Sequence, residues 1–198
     1  MVRELPIIFL CAILSFPSCQ SSPKQPHTIS GAYSSNASDP DKSEFQERGN
    51  CAYEVEGRVR VLPSTLAELD FTKELPSIHT KEYGWIFVRR DGSTIPTMAI
   101  DNGPDNFSEG LARYIDDDKI GFIDASGTIV IKAQFRFAAP FEGGFSRVCN
   151  ECVKEMSGEY VTTKSSHWGC INKNGELVLQ MKYSMEDIST QMHKLKDG

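Results

Sequence analysis

The feature that most constrains this chain is a short element written three times. Tyr83-Gly84-Trp85-Ile86 runs on to Asp91-Gly92, Lys119-Ile120-Gly121-Phe122-Ile123 to Asp124-Ala125-Ser126-Gly127, and His167-Trp168-Gly169-Cys170-Ile171 to Asn172-Lys173-Asn174-Gly175. Each copy sets a glycine beside an aromatic residue, follows with an apolar run and closes on a glycine turn. A second element lies between the copies: Phe107-Ser108-Glu109-Gly110-Leu111-Ala112-Arg113 answers Phe141-Glu142-Gly143-Gly144-Phe145-Ser146-Arg147, 34 positions later. Periods of this size mark stacked repeat architectures. Phe71-Thr72-Lys73-Glu74-Leu75 keeps the Phe-to-Leu spacing 36 positions before Phe107 and reads as a degenerate first copy.

Each unit reads as an antiparallel hairpin. Asp91-Gly92 and Asn174-Gly175 are preferred pairs for a two-residue type I′ turn, which needs positive φ at both positions, and Ser126-Gly127 is a weaker version. The strands after the turns are apolar and β-branched, Thr128-Ile129-Val130-Ile131 and Glu176-Leu177-Val178-Leu179. A lone hairpin is marginal in water, so the copies must bury one another's apolar faces. Each glycine would let stacked units approach closely while each ring fills the space between them. Upstream, Tyr53, Val55, Val59 and Val61 alternate with polar residues as in a half-buried strand. The expected fold class is all-β: an array of antiparallel β-hairpin repeats, solenoid-like or partial propeller-like, with a short C-terminal helical cap. Ser184 and Asp187 approximate a capping box, and Met185, Ile188, Met192 and Leu195 share one helical face; a frayed tail is the alternative.

These residues resemble the WG β-repeat family, named for its Trp-Gly or Gly-aromatic pair and found in bacterial proteins of unassigned function. The resemblance covers about residues 71–183, and its repeat-defining positions here are Gly84, Trp85, Gly92, Gly121, Phe122, Gly127, Trp168, Gly169 and Gly175. It implies the stacked-hairpin fold and little about function. The chain departs from the pattern in two places. The first unit has two extra residues before its turn, and Cys170 stands where such repeats carry an aromatic.

The first fifty residues read differently. The apolar stretch from Leu5 to Phe16 is too short to cross a bilayer as a helix and has the length of a signal-peptide core. It ends Phe16-Pro17-Ser18-Cys19, which resembles the lipobox of bacterial lipoproteins. On that reading residues 1–18 are removed, and acylated Cys19 becomes the membrane anchor. A plain secretory signal cut nearby is the other reading. Residues 19–50 are rich in Ser, Pro, Asn, Asp, Gln and Lys, with Ile29, Tyr33 and Phe45 as their large apolar residues, and are expected to form a disordered polar tether. The rest divides into an N-terminal strand region with the degenerate repeat (51–82), the WG-type repeats (83–183) and a cap or tail (184–198). The expected location is the bacterial cell envelope, periplasmic or outer-surface.

Ligand-like spacing occurs once, in Cys149-Asn150-Glu151-Cys152 followed by His167-Trp168-Gly169-Cys170. Two thiolates facing an imidazole and a third thiolate could complete a tetrahedral zinc site. Export favours one or two disulfides instead, and Cys51, Cys149, Cys152 and Cys170 allow three fully paired connectivities; reduced or redox-active thiols are a third state. Asp101–Asn106 and Asp116–Asp118 collect oxygen ligands without calcium-loop spacing, and read as solvated connections. No nucleophile elbow, phosphate loop, dinucleotide fingerprint or HExxH helix is written in the chain, so neither enzymatic activity nor a cofactor is expected. A formal net charge of −6 argues against nucleic acid as a partner. The expected function is an exported, membrane-tethered module that binds a protein or glycan, with Trp85, Tyr114 or Trp168 as contacts where they lie outside the core. The alternative is a metal- or redox-responsive module built on Cys149, Cys152, His167 and Cys170.

Overall fold

The computed structural model describes residues 27–33, 46–157 and 160–197; the leader, Cys19 and most of the expected tether lie outside the described residues. The chain opens with strands β1 (His27–Tyr33), β2 (Gln46–Val55) and β3 (Arg58–Val61), followed by one turn of helix, α1 (Pro63–Leu66). Three antiparallel units come next. The first is β4 (Ser77–Thr80), β5 (Gly84–Val88) and β6 (Thr94–Pro96). A short ribbon, β7 (Ala99–Ile100) and β8 (Gly103–Pro104), leads to the second: β9 (Leu111–Asp116), β10 (Lys119–Asp124) and β11 (Ile129–Phe135). The chain then passes through β12 (Phe137–Ala138), β13 (Phe145–Cys149), β14 (Val153–Ser157), β15 (Tyr160–Lys164), β16 (Trp168–Asn172) and β17 (Leu177–Tyr183), and ends in helix α2 (Met185–Asp197). Strands β13, β16 and β17 form the third unit, while β14 and β15 pair only with each other, as an inserted hairpin.

The second and third units are copies in register as well as in sequence. Ile120 lies opposite Phe135, Phe122 opposite Ile131 and Ile123 opposite Ile129. Advancing every number by 48 gives Trp168 opposite Tyr183, Cys170 opposite Leu179 and Ile171 opposite Leu177, with the bulge in the same place. The first strands are only 34 positions apart, since Tyr114 faces Gly121 and Val148 faces Gly169. The inserted hairpin accounts for the difference.

Stacking explains why the middle strands are buried almost throughout. Successive side chains of a strand point to opposite faces. Val88 packs with Ile29, Ile78 and Ile86, whereas its neighbour Phe87 packs with Ile123 of the second unit. Phe122 packs with Ile171 of the third unit, and Cys170 packs with Ile188 of α2. The position held by Phe87 and Phe122 therefore always faces the next layer. In the last unit that layer is a helix, and the smaller Cys170 makes room for Ile188.

The glycine turns differ from the type I′ expectation. Only Gly92, Gly127 and Gly175 of the predicted pairs have positive φ, at 76, 86 and 81°. The N–H of Gly127 donates to the Asp124 carbonyl and that of Asp124 to the Thr128 carbonyl, a type I turn closed by a left-handed glycine, and Asn172 with Gly175 and Glu176 repeats the pattern. The reason lies at the turn's first residue. Asp124 Oδ1 accepts the N–H groups of Ser126 and Thr128, and Asn172 Oδ1 those of Asn174 and Glu176, which holds the intervening residues right-handed. Paired positive φ values occur elsewhere among the described residues, at Glu56-Gly57, Asp101-Asn102, Glu109-Gly110, Asp117-Asp118 and Gly143-Gly144. Lys73 and Glu74 have no such φ values, and the Phe71–Leu75 segment is a bend rather than a copy of that turn.

Residues 27–33 and 46–50 correct the tether expectation. Strand β1 lies inside a six-stranded sheet of order β3-β2-β1-β4-β5-β6. Ile29, Gly31 and Tyr33 share its inner face, and a strand needs apolar residues only at alternate positions. Ile29 and Tyr33 are buried, and a Cβ on Gly31 would sit 2.5 Å from the His79 carbonyl and 2.7 Å from Cys51 Sγ. The sheet curls until its outer strands meet: Arg60 bridges Ser93, Val61 N–H donates to the Gly92 carbonyl at 3.0 Å, and Thr94 Oγ1 to the Val59 carbonyl at 2.8 Å.

At the other end α2 caps the array. Ser184 Oγ accepts the Asp187 N–H and donates to Asp187 Oδ2, and Ile188 is fully buried with Met192 beside it. Met185 and Leu195, expected on the same face, are exposed; in the last turn the half-buried Lys196 turns to the array instead, with its Nζ 3.1 Å from Glu142.

Candidate functional site

The cysteine-rich segment sits where β13 hands the chain to the inserted hairpin. Cys149 is the last residue of β13 and is buried; Cys152, just before β14, is half-buried. They form a disulfide with their Cα atoms 6.0 Å apart. Above it Val153 faces Lys164, and the ladder continues to Ser157 opposite Tyr160. The base is further tied by Ser165 Oγ donating to the Glu151 carbonyl at 2.7 Å and by His167 Nδ1 at 3.3 Å from Glu151. Cys152 also lines a groove of about 540 Å³ between the hairpin and the second unit, with Met98, Ile115, Ile120, Arg136 and Lys154.

The structure thus joins Cys149 and Cys152 and parts the other two members of the expected set. His167 is exposed. Cys170 is a free, fully buried thiol in β16, and desolvation pushes it up to about 11. It packs with Trp168 and Ile188 beneath α2, with Arg147 opposite it on β13 and the Lys196 charge working against the desolvation. No group of three or more His, Cys, Asp or Glu with metal-holding geometry occurs among the described residues. Cys51 is the second free thiol, buried in the six-stranded sheet and raised by desolvation. One disulfide is formed, within the one or two expected, and Cys51 and Cys170 stay as free thiols rather than completing a second pair.

The repeat-defining residues fall into two kinds. Gly121 and Gly169 face backbone. A Cβ on Gly121 would lie 2.5 Å from the Ile131 carbonyl and 2.6 Å from Ala133 N, and one on Gly169 would lie 2.8 Å from the Leu179 carbonyl. The close approach is to the unit's own bulged third strand, not to a neighbouring unit. Gly84 differs: it opens β5 with φ 66° and open space around it. Aligning the units on Gly92, Gly127 and Gly175 sets Trp85 with Ile120 and Trp168, and Phe87 with Phe122 and Cys170. Ile86 then takes the place of Gly121, and the first unit accordingly has no bulge there, with Phe87 opposite Ile95 and Ile86 opposite Pro96.

Trp85, Tyr114 and Trp168 are all buried, which removes them as exposed contacts. Tyr114 Oη accepts the Ala133 N–H at the bulge, and Trp168 stacks edge-on against Phe137 beneath the Arg147 guanidinium.

Two polar constellations were not evident in the sequence. Asp105, expected in a solvated connection, is buried and accepts both Arg113 Nε at 2.9 Å and Arg113 Nη2 at 2.5 Å, as well as the Arg113 N–H; Arg113 Nη1 donates to the Ala138 carbonyl. The signal available was the arginine ending both seven-residue elements, at 113 and 147. Glu109, on the tip of one paired turn, accepts the N–H groups of Gly143 and Gly144 on the next, and lies 3.1 Å from Lys173. The Lys173 hydrogen bond, aided by those two amides against some desolvation, holds the Glu109 carboxyl below the usual carboxylate range.

Comparison with known proteins finds a similarity within the repeated part. The WG containing repeat family matches residues 120–151 and 168–185. The unmatched interval between those segments is the inserted hairpin. No curated protein and no solved structure matches the chain.

Proposed function

From a chain whose second and third units carry WG containing repeats, we infer a binding module that presents a β-repeat surface to a protein or glycan partner, without enzymatic activity or a resident cofactor. The observation that carries this reading is the stacking itself: each layer buries the face of the next, while turns and outer strands of equivalent units recur along the outside. Such serial surfaces are the usual binding surfaces of repeat proteins. We place the module in the bacterial cell envelope, tethered through acylated Cys19; the basis is the leader and the lipobox-like Phe16–Cys19 segment. Cross-linking the full chain in the envelope of the producing cell, followed by capture, tests the binding role: a partner enriched over a capture from cells lacking the chain is expected, and its absence counts against it. Cys19→Ser should abolish membrane fractionation, and unchanged fractionation removes the anchor.

A redox-responsive module is the second reading, favoured by the disulfide that closes the base of the inserted hairpin beside a groove. Reduction should then change partner capture, and thiol counting on the isolated protein should rise by two when reductant is added.

A further inference from the structure

We propose that the edge running from turn residues Gly175 and Glu176 into Leu177 and Val178 at the start of β17 takes an extended strand of a partner protein, antiparallel, with a basic residue opposite Glu176 and aliphatic residues over Leu177 and Val178. This rests on the binding-module reading and names the surface and the class of partner.

The chain itself shows what such an edge accepts. In the first unit the carbonyl of turn residue Gly92 accepts the Val61 N–H of β3, while Arg60 pairs antiparallel with Ser93 and donates from Nη1 to the Asp91 carbonyl. In the second unit the equivalent carbonyl, Gly127, is taken by Arg89 Nε at 2.9 Å. In the third the Gly175 carbonyl accepts no hydrogen bond among the described residues. The residues after it are open as well: Leu177 and Val178 are 37% and 38% exposed on an outer strand. Unpaired strand edges of this kind are templates for strand addition, main-chain bonds giving affinity and alternate side chains specificity.

Charge selects the occupant. Glu176 stands where Ser93 faces Arg60, so a basic residue in the place of Arg60 would meet a carboxylate. β3 alternates Arg58-Val59-Arg60-Val61, which is the pattern this edge calls for. A second copy of the chain cannot offer its own β3, which is already held against β6, and a net charge of −6 opposes self-association.

The test uses the intact protein and a blocked eight-residue peptide alternating arginine and valine, titrated by fluorescence anisotropy. Saturable one-to-one binding is expected, weakened at least tenfold by Glu176→Lys and by Leu177→Lys, and changed less than twofold by Ile129→Lys on the second unit. All three side chains are exposed, and an unchanged melting temperature verifies each variant; Val178→Lys replaces either edge variant that melts early. Equal binding of a peptide with the same residues in two blocks reduces the effect to charge and overturns the proposal. So does binding that ignores both edge substitutions, or a dimer of the protein that Leu177→Lys dissolves. A protein or glycan partner captured from the envelope with undiminished yield by the Glu176→Lys chain removes this edge while leaving the binding-module reading intact. An envelope without any partner removes that reading, while the peptide titration still decides the edge.

Discussion

Gly121 and Gly84 occupy the same place in the sequence pattern and opposite situations in the fold. Alanine at 121 drives a Cβ into fixed backbone on the partner strand, and should destabilise by about 2–3 kcal/mol, in the range of overpacked interiors. Alanine at 84 meets open space and bears only the left-handed backbone penalty, about 1 kcal/mol. Urea unfolding of the two variants should reproduce that order. The buried Asp105–Arg113 pair gives a sharper contrast. Asp105→Ala strands a guanidinium in the interior and should lower stability by roughly 3–5 kcal/mol, whereas Asp105→Ala combined with Arg113→Met should recover most of the loss. Glu109 supplies a pH dependence. Its folded pKa lies below its unfolded value, so its contribution is present above about pH 4.3 and is lost as pH falls through the lower folded value. Stability measured across that acid range should fall less steeply in Glu109→Gln. Asp105 could not be read from the sequence, because its partner is eight residues away across a turn and its burial depends on the layer above. The glycine closing each turn was legible, since a positive φ is a local demand that Gly meets most easily.

At the scale of elements, turn chemistry and α2 were foreseen with different success. A glycine turn was evident in each unit, but its type was decided by Asp124 and Asn172, whose carboxylate and amide oxygens cage the backbone from the turn's first position. Helix α2 starts at its capping box because Ser184 satisfies a free N–H of the first turn. The one fully buried side chain by which it holds the array is Ile188, against Trp168 and Cys170, with Met192 and the Lys196–Glu142 pair beside it. Ile188→Ala should therefore lower stability by about 2–4 kcal/mol and make Cys170 reactive toward a thiol reagent under native conditions, where the intact chain protects it. If Cys170 remains protected in the folded variant, the helix is not what shields the last layer. Strand β1 was missed because composition averages over a window, and three alternate positions, Ile29, Gly31 and Tyr33, are enough to seat a strand.

For the whole molecule the decisive property is that the apolar clusters beyond the six-stranded sheet's own are shared between layers. Phe122 belongs to the second unit yet packs against residues of the third, so Phe122→Ala should shift the entire unfolding transition, by about 3–5 kcal/mol, rather than split off one unit. Two well-separated calorimetric transitions in that variant would mean that the layers fold independently. The sequence by itself determined that the chain is built of repeated antiparallel units, where each unit turns, and that a capped helix follows them, because glycine conformation, strand alternation and capping act over a few residues. Only the tertiary structure decided which thiols join, that Asp105 and Arg113 are buried together, that residues before 51 complete a sheet, and which turn carbonyl among the three units is left without a donor. Those outcomes depend on pairings between segments far apart in the chain, where solvent exclusion and geometry are set by layers that no local pattern records.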